Sequence, residues 1–317
     1  MKISILNLDS GSKFQDPHTT QDGKQRAHVI LKKLKTLWLN TGTLCNLSCE
    51  NCYIESTPRN DRLSYLSLNE VVPYLEEILN ADSGTSELGI TGGEPFMNPD
   101  ILGIIRAGLQ RGFSVLVLTN GMRPMMRPSI QSGLLELKAE FNKKLTIRVS
   151  VDHFKQALHE KERGTGSWPP LVRGLRWLSE NGFQIAIAGR TQWEESEHEL
   201  REGFSQFFEE NEIRIDAWDP QELTLFPEME DLNNVPEITT DCWDILGVSR
   251  DDMMCASSRM IVKHKGQAQP SVMACTLIAY DASFNLGSTL REASKRVQLN
   301  HAHCAKFCVL GGGKCSG

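Results

Sequence analysis

Thr41-Gly-Thr-Leu-Cys45-Asn-Leu-Ser-Cys49-Glu-Asn-Cys52-Tyr53 is the stretch on which the reading of this chain turns. It follows directly on a short apolar run, Thr36–Asn40, that reads as a strand, so the three cysteines fall on a loop at that strand's C-terminal end. A disulfide within the trio leaves an odd thiol, whereas three thiolates this close in sequence can converge on one metal centre. Iron–sulfur cubes are ordinarily held by four thiolates; three leave one iron open to a further ligand. A zinc ion with a distant fourth ligand, or three unrelated cysteines, are the other readings of the same spacing.

Working outward, short apolar runs alternate with amphipathic helical stretches. Strands are expected at Thr36–Asn40, Glu87–Thr91, Ser114–Thr119, Leu145–Val151, Gln184–Ala188 and Glu212–Asp216. Helices are expected near Ser67–Asn80, Pro99–Arg111, Pro128–Ala139, Pro169–Asn181 and Glu194–Glu210, with Ser67-Leu-Asn-Glu70 as a capping box. Strands alternating with helices imply a parallel sheet with right-handed crossovers and a site at the strands' C-terminal ends. Periodicity alone leaves open whether that sheet is doubly wound or a curved, incomplete barrel. Residues 1–35 read as a polar N-terminal extension and 36–230 as the core domain. Residues 231–317 read as a small irregular region, with one helix expected at Ser288–Val297.

The chain has 317 residues, 40% of them hydrophobic, which is enough for one full-sized catalytic domain and a smaller appendage. A net charge of −6, with no basic stripe interleaved with aromatics, points away from a nucleic-acid partner. The opening MKISILNLDSGSKF has too short an apolar stretch for a signal peptide, and no window approaches the roughly 18 apolar residues of a membrane span. A cytoplasmic protein is expected. In that reducing setting its nine cysteines are metal ligands or free thiols rather than disulfides.

Cys-x3-Cys-x2-Cys followed by an aromatic residue resembles the signature of the radical S-adenosylmethionine (radical SAM) superfamily, and four further segments are similar in the same order. They are Thr91-Gly-Gly-Glu-Pro95, Leu118-Thr-Asn-Gly121, Arg148-Val-Ser-Val-Asp-His153 and Arg163-Gly-Thr-Gly-Ser-Trp168. The resemblance covers residues 36–216 and implies an α/β fold, a partial (β/α)6 TIM-like barrel. It implies that Cys45, Cys49 and Cys52 hold a 4Fe–4S cluster whose open iron chelates S-adenosylmethionine. Reductive cleavage then gives a 5′-deoxyadenosyl radical that takes a hydrogen atom from a substrate.

Roles follow residue by residue from that resemblance. Gly92 and Gly93 admit close backbone approach, and Glu94 accepts from the methionine ammonium. Thr119 and Asn120 lie where the family contacts the ribose. Ser150 and Arg163 meet the methionine carboxylate, Arg190 is a further carboxylate contact, and Tyr53 offers a ring near the adenine. Each has a plain structural alternative: a turn for the glycines, Thr119 and Asn120, a surface position for the arginines, core packing for Tyr53. Asp152 and His153 receive no chemistry and read as helix caps.

The tail pattern, Cys255-x10-Gly266-x8-Cys275 and then Cys304-x3-Cys308-x6-Cys315, resembles the SPASM/Twitch auxiliary-cluster regions of the same superfamily. It implies one auxiliary 4Fe–4S cluster, ligated by Cys255, Cys275, Cys304 and Cys308, with Cys315 able to replace one of them and Lys265-Gly266 as the hairpin turn. A four-cysteine zinc site folds such a tail equally well. Cys242 reads as a buried thiol, and His301 and His303 as polar surface residues.

The expected reaction is oxidation or rearrangement of a small polar substrate, because the extension is too short for a separate peptide-recognition domain. A peptide maturase acting on a short peptide is the alternative within the enzyme class, and a non-catalytic iron–sulfur or zinc scaffold the alternative outside it. An external one-electron reductant of the flavodoxin or ferredoxin type is the expected partner.

Overall fold

Leu37, Trp38 and Leu39 are all buried, so the first apolar run is covered on both faces, as the strands of a parallel sheet between helices are. In a computed structural model, which describes residues 13–81, 83–227 and 234–313, this run is the second strand. The elements in chain order are β1 (His28–Val29), β2 (Thr36–Asn40), α1 (Leu68–Asn80), β3 (Glu87–Thr91), α2 (Ile101–Gln110), β4 (Ser114–Thr119), α3 (Pro128–Phe141) and β5 (Leu145–Asp152). They continue with α4 (Gln156–Arg163), α5 (Trp168–Glu180), β6 (Gln184–Arg190), α6 (Glu197–Glu210), β7 (Leu223–Phe226) and α7 (Cys242–Leu246). After these come β8 (Ser258–Val262), β9 (Ser271–Met273), β10 (Val297–Gln298) and a short π-helix, Cys304–Leu310.

Strands β2 to β7 are parallel neighbours in chain order, each joined to the next through helix, which makes the partial (β/α)6 barrel. The sheet continues past β2: β8 pairs with it in parallel and β9 returns antiparallel to β8, giving the order β7-β6-β5-β4-β3-β2-β8-β9. The β8–β9 turn holds Gly266 at a φ of +82°, where a side chain is disfavoured. The described part of the N-terminal segment is held by the tail. β1 pairs antiparallel with β10, and the buried Arg26 guanidinium meets Glu237 at 2.5 Å and the carbonyl of Asp16 at 2.8 Å.

Two sequence expectations change. Glu212–Asp216 is not a strand: Ile213 is buried, but Glu212 has a φ of +57° and the side chains of Asp216 and Asp219 take the N–H groups of Trp218 and Gln221. These aspartate turns delay the sixth barrel strand to Leu223–Phe226, a run of four residues closed by Pro227. Nor is Ser288–Val297 a helix. Glu292 accepts from the N–H groups of Ser288 and Thr289, and Glu77 of α1 accepts from Leu290 and Arg291. The chain makes a single tight turn, Glu292–Ser294, and then extends because β1 recruits Val297–Gln298. The capping box stands, with Glu70 accepting from the Ser67 N–H at 2.9 Å. A second, unread in the sequence, starts α6 at Ser196 and Glu199.

Among the described residues no helix is long and apolar enough to cross a membrane. Trp38, 1% exposed, occupies the space left by the missing side chain of Gly89, where an added Cβ would come within 2.4 Å of its ring. Replacing Trp38 by Ala is predicted to cost about 3–5 kcal/mol, measurable by chemical denaturation; a loss under 1 kcal/mol would mean that this strand pair does not depend on the indole.

Candidate functional site

The site is built where the loop after β2 meets the loop after β3. Thr41 donates its N–H to the carbonyl of Thr91 at 2.8 Å, Gly93 donates to Gly42 at 2.8 Å, and Glu94 donates to Leu44 at 3.1 Å. Backbone lies on backbone here, which is possible because Gly92 and Gly93 carry no side chains. A Cβ at Gly93 would fall 2.3 Å from the carbonyl oxygen of Leu44, and one at Gly92, where φ is +149°, 2.7 Å from that of Gly42. The two glycines are thus required first by the chain's own cysteine loop, not by a cofactor approaching from outside.

Cys45, Cys49 and Cys52 line one cavity together with Tyr53, Gly92, Gly93, Thr119, Asn120, Ser150, Arg163 and Arg190. Four strand ends and the cysteine loop therefore converge, at the C-terminal side of the barrel. Backbone donors already aim at two sulfurs: Leu47 N–H at Cys45 (3.5 Å) and Ser56 N–H at Cys52 (3.3 Å). The hydroxyl oxygen of Ser56, on the same wall, is buried without a hydrogen-bond partner. Burial pushes the Cys45 thiol up to about 12 and raises that of Cys49, so each needs a bound cation to become a thiolate. Among the described residues no group of three or more His, Cys, Asp or Glu could hold a single metal ion; the irons of a cube sit at separate corners and take one thiolate each. The donor set, the backbone N–H groups and the glycine cradle fit a 4Fe–4S cluster.

Glu94 departs from its expected place. It does not line the cavity; its carboxylate is 1% exposed and accepts from the Thr119 hydroxyl (2.8 Å), the Asn120 N–H (2.9 Å) and the Phe96 N–H (3.1 Å). Burial raises this carboxyl above its ordinary value against those three bonds. Glu94 thereby ties the end of β3 to the end of β4 and fixes Thr119 and Asn120, whose amide reaches Asn46 in the cysteine loop at 2.9 Å.

Asp152, given no chemistry in the sequence reading, organises the other wall. It has a φ of +54° just past a bulge in β5 at Ser150/Asp152. From there it receives Arg163 through two bonds, at 2.5 and 3.2 Å, and Arg190 at 3.1 Å. Burial works against the Asp152 charge, but the two guanidinium groups overcome it and hold the carboxyl below its ordinary value. Arg190 also reaches the carbonyl of Asn51 (3.3 Å) and approaches the buried Glu162 (3.6 Å). Both arginines face the cavity while anchored to Asp152. Arg163 ends α4, a helix absent from the sequence reading, because Gly164 stops it with a φ of +94°.

In the tail, the thiols of the buried Cys255 and Cys304 and the half-buried Cys275 are close enough to act on one another. Burial pushes Cys255 up to about 12 and Cys304 well above the ordinary thiol value, and the neighbouring thiols add to both. Cys308 lies four residues further along the π-helix that begins at Cys304, half-buried. Cys315 lies outside the described residues. Cys242 starts α7 and accepts from the Thr239 N–H at 3.4 Å. The rings of His301 and His303 lie against each other, tilted by 35° with centres 4.8 Å apart, and both residues are half-buried rather than on the open surface.

Comparison with known proteins bears on residues 39–200, just over half of the chain, which match the profile of the Radical SAM superfamily. The antilisterial bacteriocin subtilosin biosynthesis protein AlbA of Bacillus subtilis is 30% identical over 145 residues, 45% of this chain and 30% of AlbA. A GTP 3',8-cyclase of Vibrio parahaemolyticus is 25% identical over 210 residues, 63% of this chain and 58% of the cyclase. The chain thus spans less than two thirds of either relative. Among solved structures, Streptococcus suis SuiB bound to precursor peptide SuiA superposes with a TM-score of 0.60 at 16% identity, over 89% of this chain and 67% of SuiB. That likeness is one of fold.

Two outcomes are expected. Gly93→Ala drives a Cβ into backbone that has nowhere to go, so iron retained by Cys45, Cys49 and Cys52 should fall sharply; undiminished iron content would show that the loops can part. Asp152→Asn leaves the Arg163 guanidinium without its anion, Arg190 keeping Glu162, and should cost about 3 kcal/mol at neutral pH. A lowered carboxyl stabilises the fold above its unfolded value of about 4 and ceases to do so as pH falls through the folded value. The gap between wild type and variant in denaturation midpoints should therefore hold at pH 7 and narrow in acid.

Proposed function

This chain belongs to the radical SAM superfamily, and we propose that it takes a hydrogen atom from a small polar substrate, leading to oxidation or rearrangement. The observation that carries the reading is the single cavity in which Cys45, Cys49 and Cys52 meet Gly92, Gly93, Thr119, Asn120 and Ser150. When bound, a reduced 4Fe–4S cluster and S-adenosylmethionine supply the electron and the sulfonium C5′–S bond whose cleavage yields methionine and the hydrogen-abstracting radical.

Cys45, Cys49 and Cys52 would hold that cluster, and the amine and carboxylate of S-adenosylmethionine would bind beside them. Gly92 and Gly93 keep the wall thin beside it. Ser150 and Arg163 face the carboxylate, with Asp152 holding Arg163 in its plane and Arg190 beside it. Thr119 and Asn120 are set for the ribose and Tyr53 for the adenine. Glu94 would meet the ammonium only by releasing Thr119 from one carboxylate oxygen; otherwise it acts by fixing Thr119 and Asn120.

Cys255, Cys275 and Cys304, with Cys308 or Cys315 as the fourth ligand, would hold an auxiliary 4Fe–4S cluster, which would supply a one-electron acceptor for the substrate. A flavodoxin- or ferredoxin-type carrier in the cytoplasm supplies the reducing electron and removes the other. Support for a small substrate comes from the N-terminal segment, whose described residues 13–35 are engaged with the tail rather than free to form a recognition unit. A peptide substrate is the second reading, favoured by the part of AlbA in bacteriocin biosynthesis and by the precursor peptide bound to SuiB.

Anaerobic reconstitution is expected to give about eight irons per chain, two cubes of four, and dithionite should then release 5′-deoxyadenosine and methionine from S-adenosylmethionine. Cys49→Ala should abolish that release. Full iron loading without any 5′-deoxyadenosine would leave a scaffold or sensor instead. Deuterium passing into 5′-deoxyadenosine from a labelled peptide, and not from labelled small molecules, would favour the second reading.

A further inference from the structure

Arg259, in β8, is 1% exposed and has no carboxylate partner among the described residues. Its guanidinium donates to four main-chain carbonyls: Nε to Ala293 (2.9 Å), Nη1 to Cys255 (2.6 Å) and Ser258 (2.7 Å), and Nη2 to Lys295 (3.4 Å). Two other buried arginines differ: Arg26 meets Glu237 and Arg201 meets Glu197. A buried charge satisfied only by neutral dipoles is costly unless an anion accompanies it.

The charge-bearing groups that act on Arg259 are the thiols of Cys255 and Cys275. Burial pulls the guanidinium down to about 10, still charged at neutral pH, and these two thiols work in the other direction. As protonated thiols they offer no countercharge; as thiolates on iron they do. A four-thiolate cube is anionic overall and becomes more so on reduction, and a fixed cation beside it favours the reduced form.

We propose that Arg259 is the built-in counter-charge of the auxiliary cluster held by Cys255, Cys275 and Cys304, and that it raises that cluster's reduction potential. The assignment rests on the proposed tail cluster. It gives Arg259 a definite part in the reaction: one electron enters the oxidised cluster from the substrate radical, and one leaves to the external carrier. Arg259 exchanges no proton in either step. By holding its charge constant it makes the first transfer more favourable. Its backbone bonds to Cys255, Ala293 and Lys295 keep it in place, so Arg259 is a positioning residue that acts through the cluster.

The test uses the full chain with Cys45, Cys49 and Cys52 replaced by Ala, so that only the tail can hold a cube. Iron content and the electron paramagnetic resonance of the reduced cluster are followed through a mediated redox titration. With Arg259 intact about four irons are expected. Arg259→Gln and Arg259→Met should shift the reduction equilibrium about tenfold or more towards the oxidised form, a fall of about 59 mV for one electron. Arg259→Lys should stay near the parent. Loss of iron from the neutral variants alone, with the Lys variant loaded, would support the same role. Equal midpoints in loaded neutral variants, or equal iron loss in the Lys variant, would overturn it. Zinc or no iron in the parent would overturn the tail cluster as well, while release of 5′-deoxyadenosine by the unmutated protein tests the first cluster separately.

Discussion

Backbone packed on backbone, between the cysteine loop after β2 and the Gly92–Gly93 turn after β3, is the contact on which the site depends. The Cβ positions of both glycines are occupied by carbonyl oxygens of residues 42–44, so the three cysteines are placed by main-chain hydrogen bonds rather than by side-chain packing. Main-chain contact is stiff, with no rotamers to relax, and it suits a loop whose thiols must be in position before any cofactor arrives. Everything further out is referred to that seam. Glu94 follows the second glycine and reaches to β4, and Asn120 at the end of β4 reaches back to Asn46.

The second organising principle is how the fold handles buried charge. Asp152 with Arg163 and Arg190 forms a compensated cluster, and bonds to Asp152 fix the planes of both guanidinium groups. Glu94 is different, a carboxylate bonded only to neutral donors and raised by burial against their pull. Arg259 is its cationic counterpart, bonded to neutral acceptors and lowered by burial. Each unpaired group lies near a set of cysteines: Glu94 acts on Cys45, and Arg259 beside Cys255 and Cys275.

The two sets are also mechanically joined. β8 adds directly to β2, the strand that launches the first cysteine loop. Tyr280, five residues after Cys275, donates its hydroxyl to the carbonyl of Ile54, two residues after Cys52, at 2.7 Å. Arg62 lies over the same ring at 3.7 Å. These contacts tie the two loops to each other.

How much was legible follows from where each interaction lies along the chain. The cysteine spacing, the glycine pair, the barrel strands up to Gln184 and the helix starts at Ser67 and Pro128 are local, carried by neighbours in sequence and by periodicity. They could be read from the sequence alone. The sixth strand was not, since four residues between turns have no period of their own and owe their extension to pairing with β6. The expected tail helix failed because Glu77, more than two hundred residues earlier, takes its N–H groups. Asp152 was given no chemistry because its partners stand 11 and 38 positions away, and nothing local sets Arg259 apart. The sequence by itself determined the chemistry available, three thiols and a glycine cradle at a strand end. Only the tertiary structure decided which charges are paired in the dark interior and which stand alone, because burial and partner distance are properties of the folded chain.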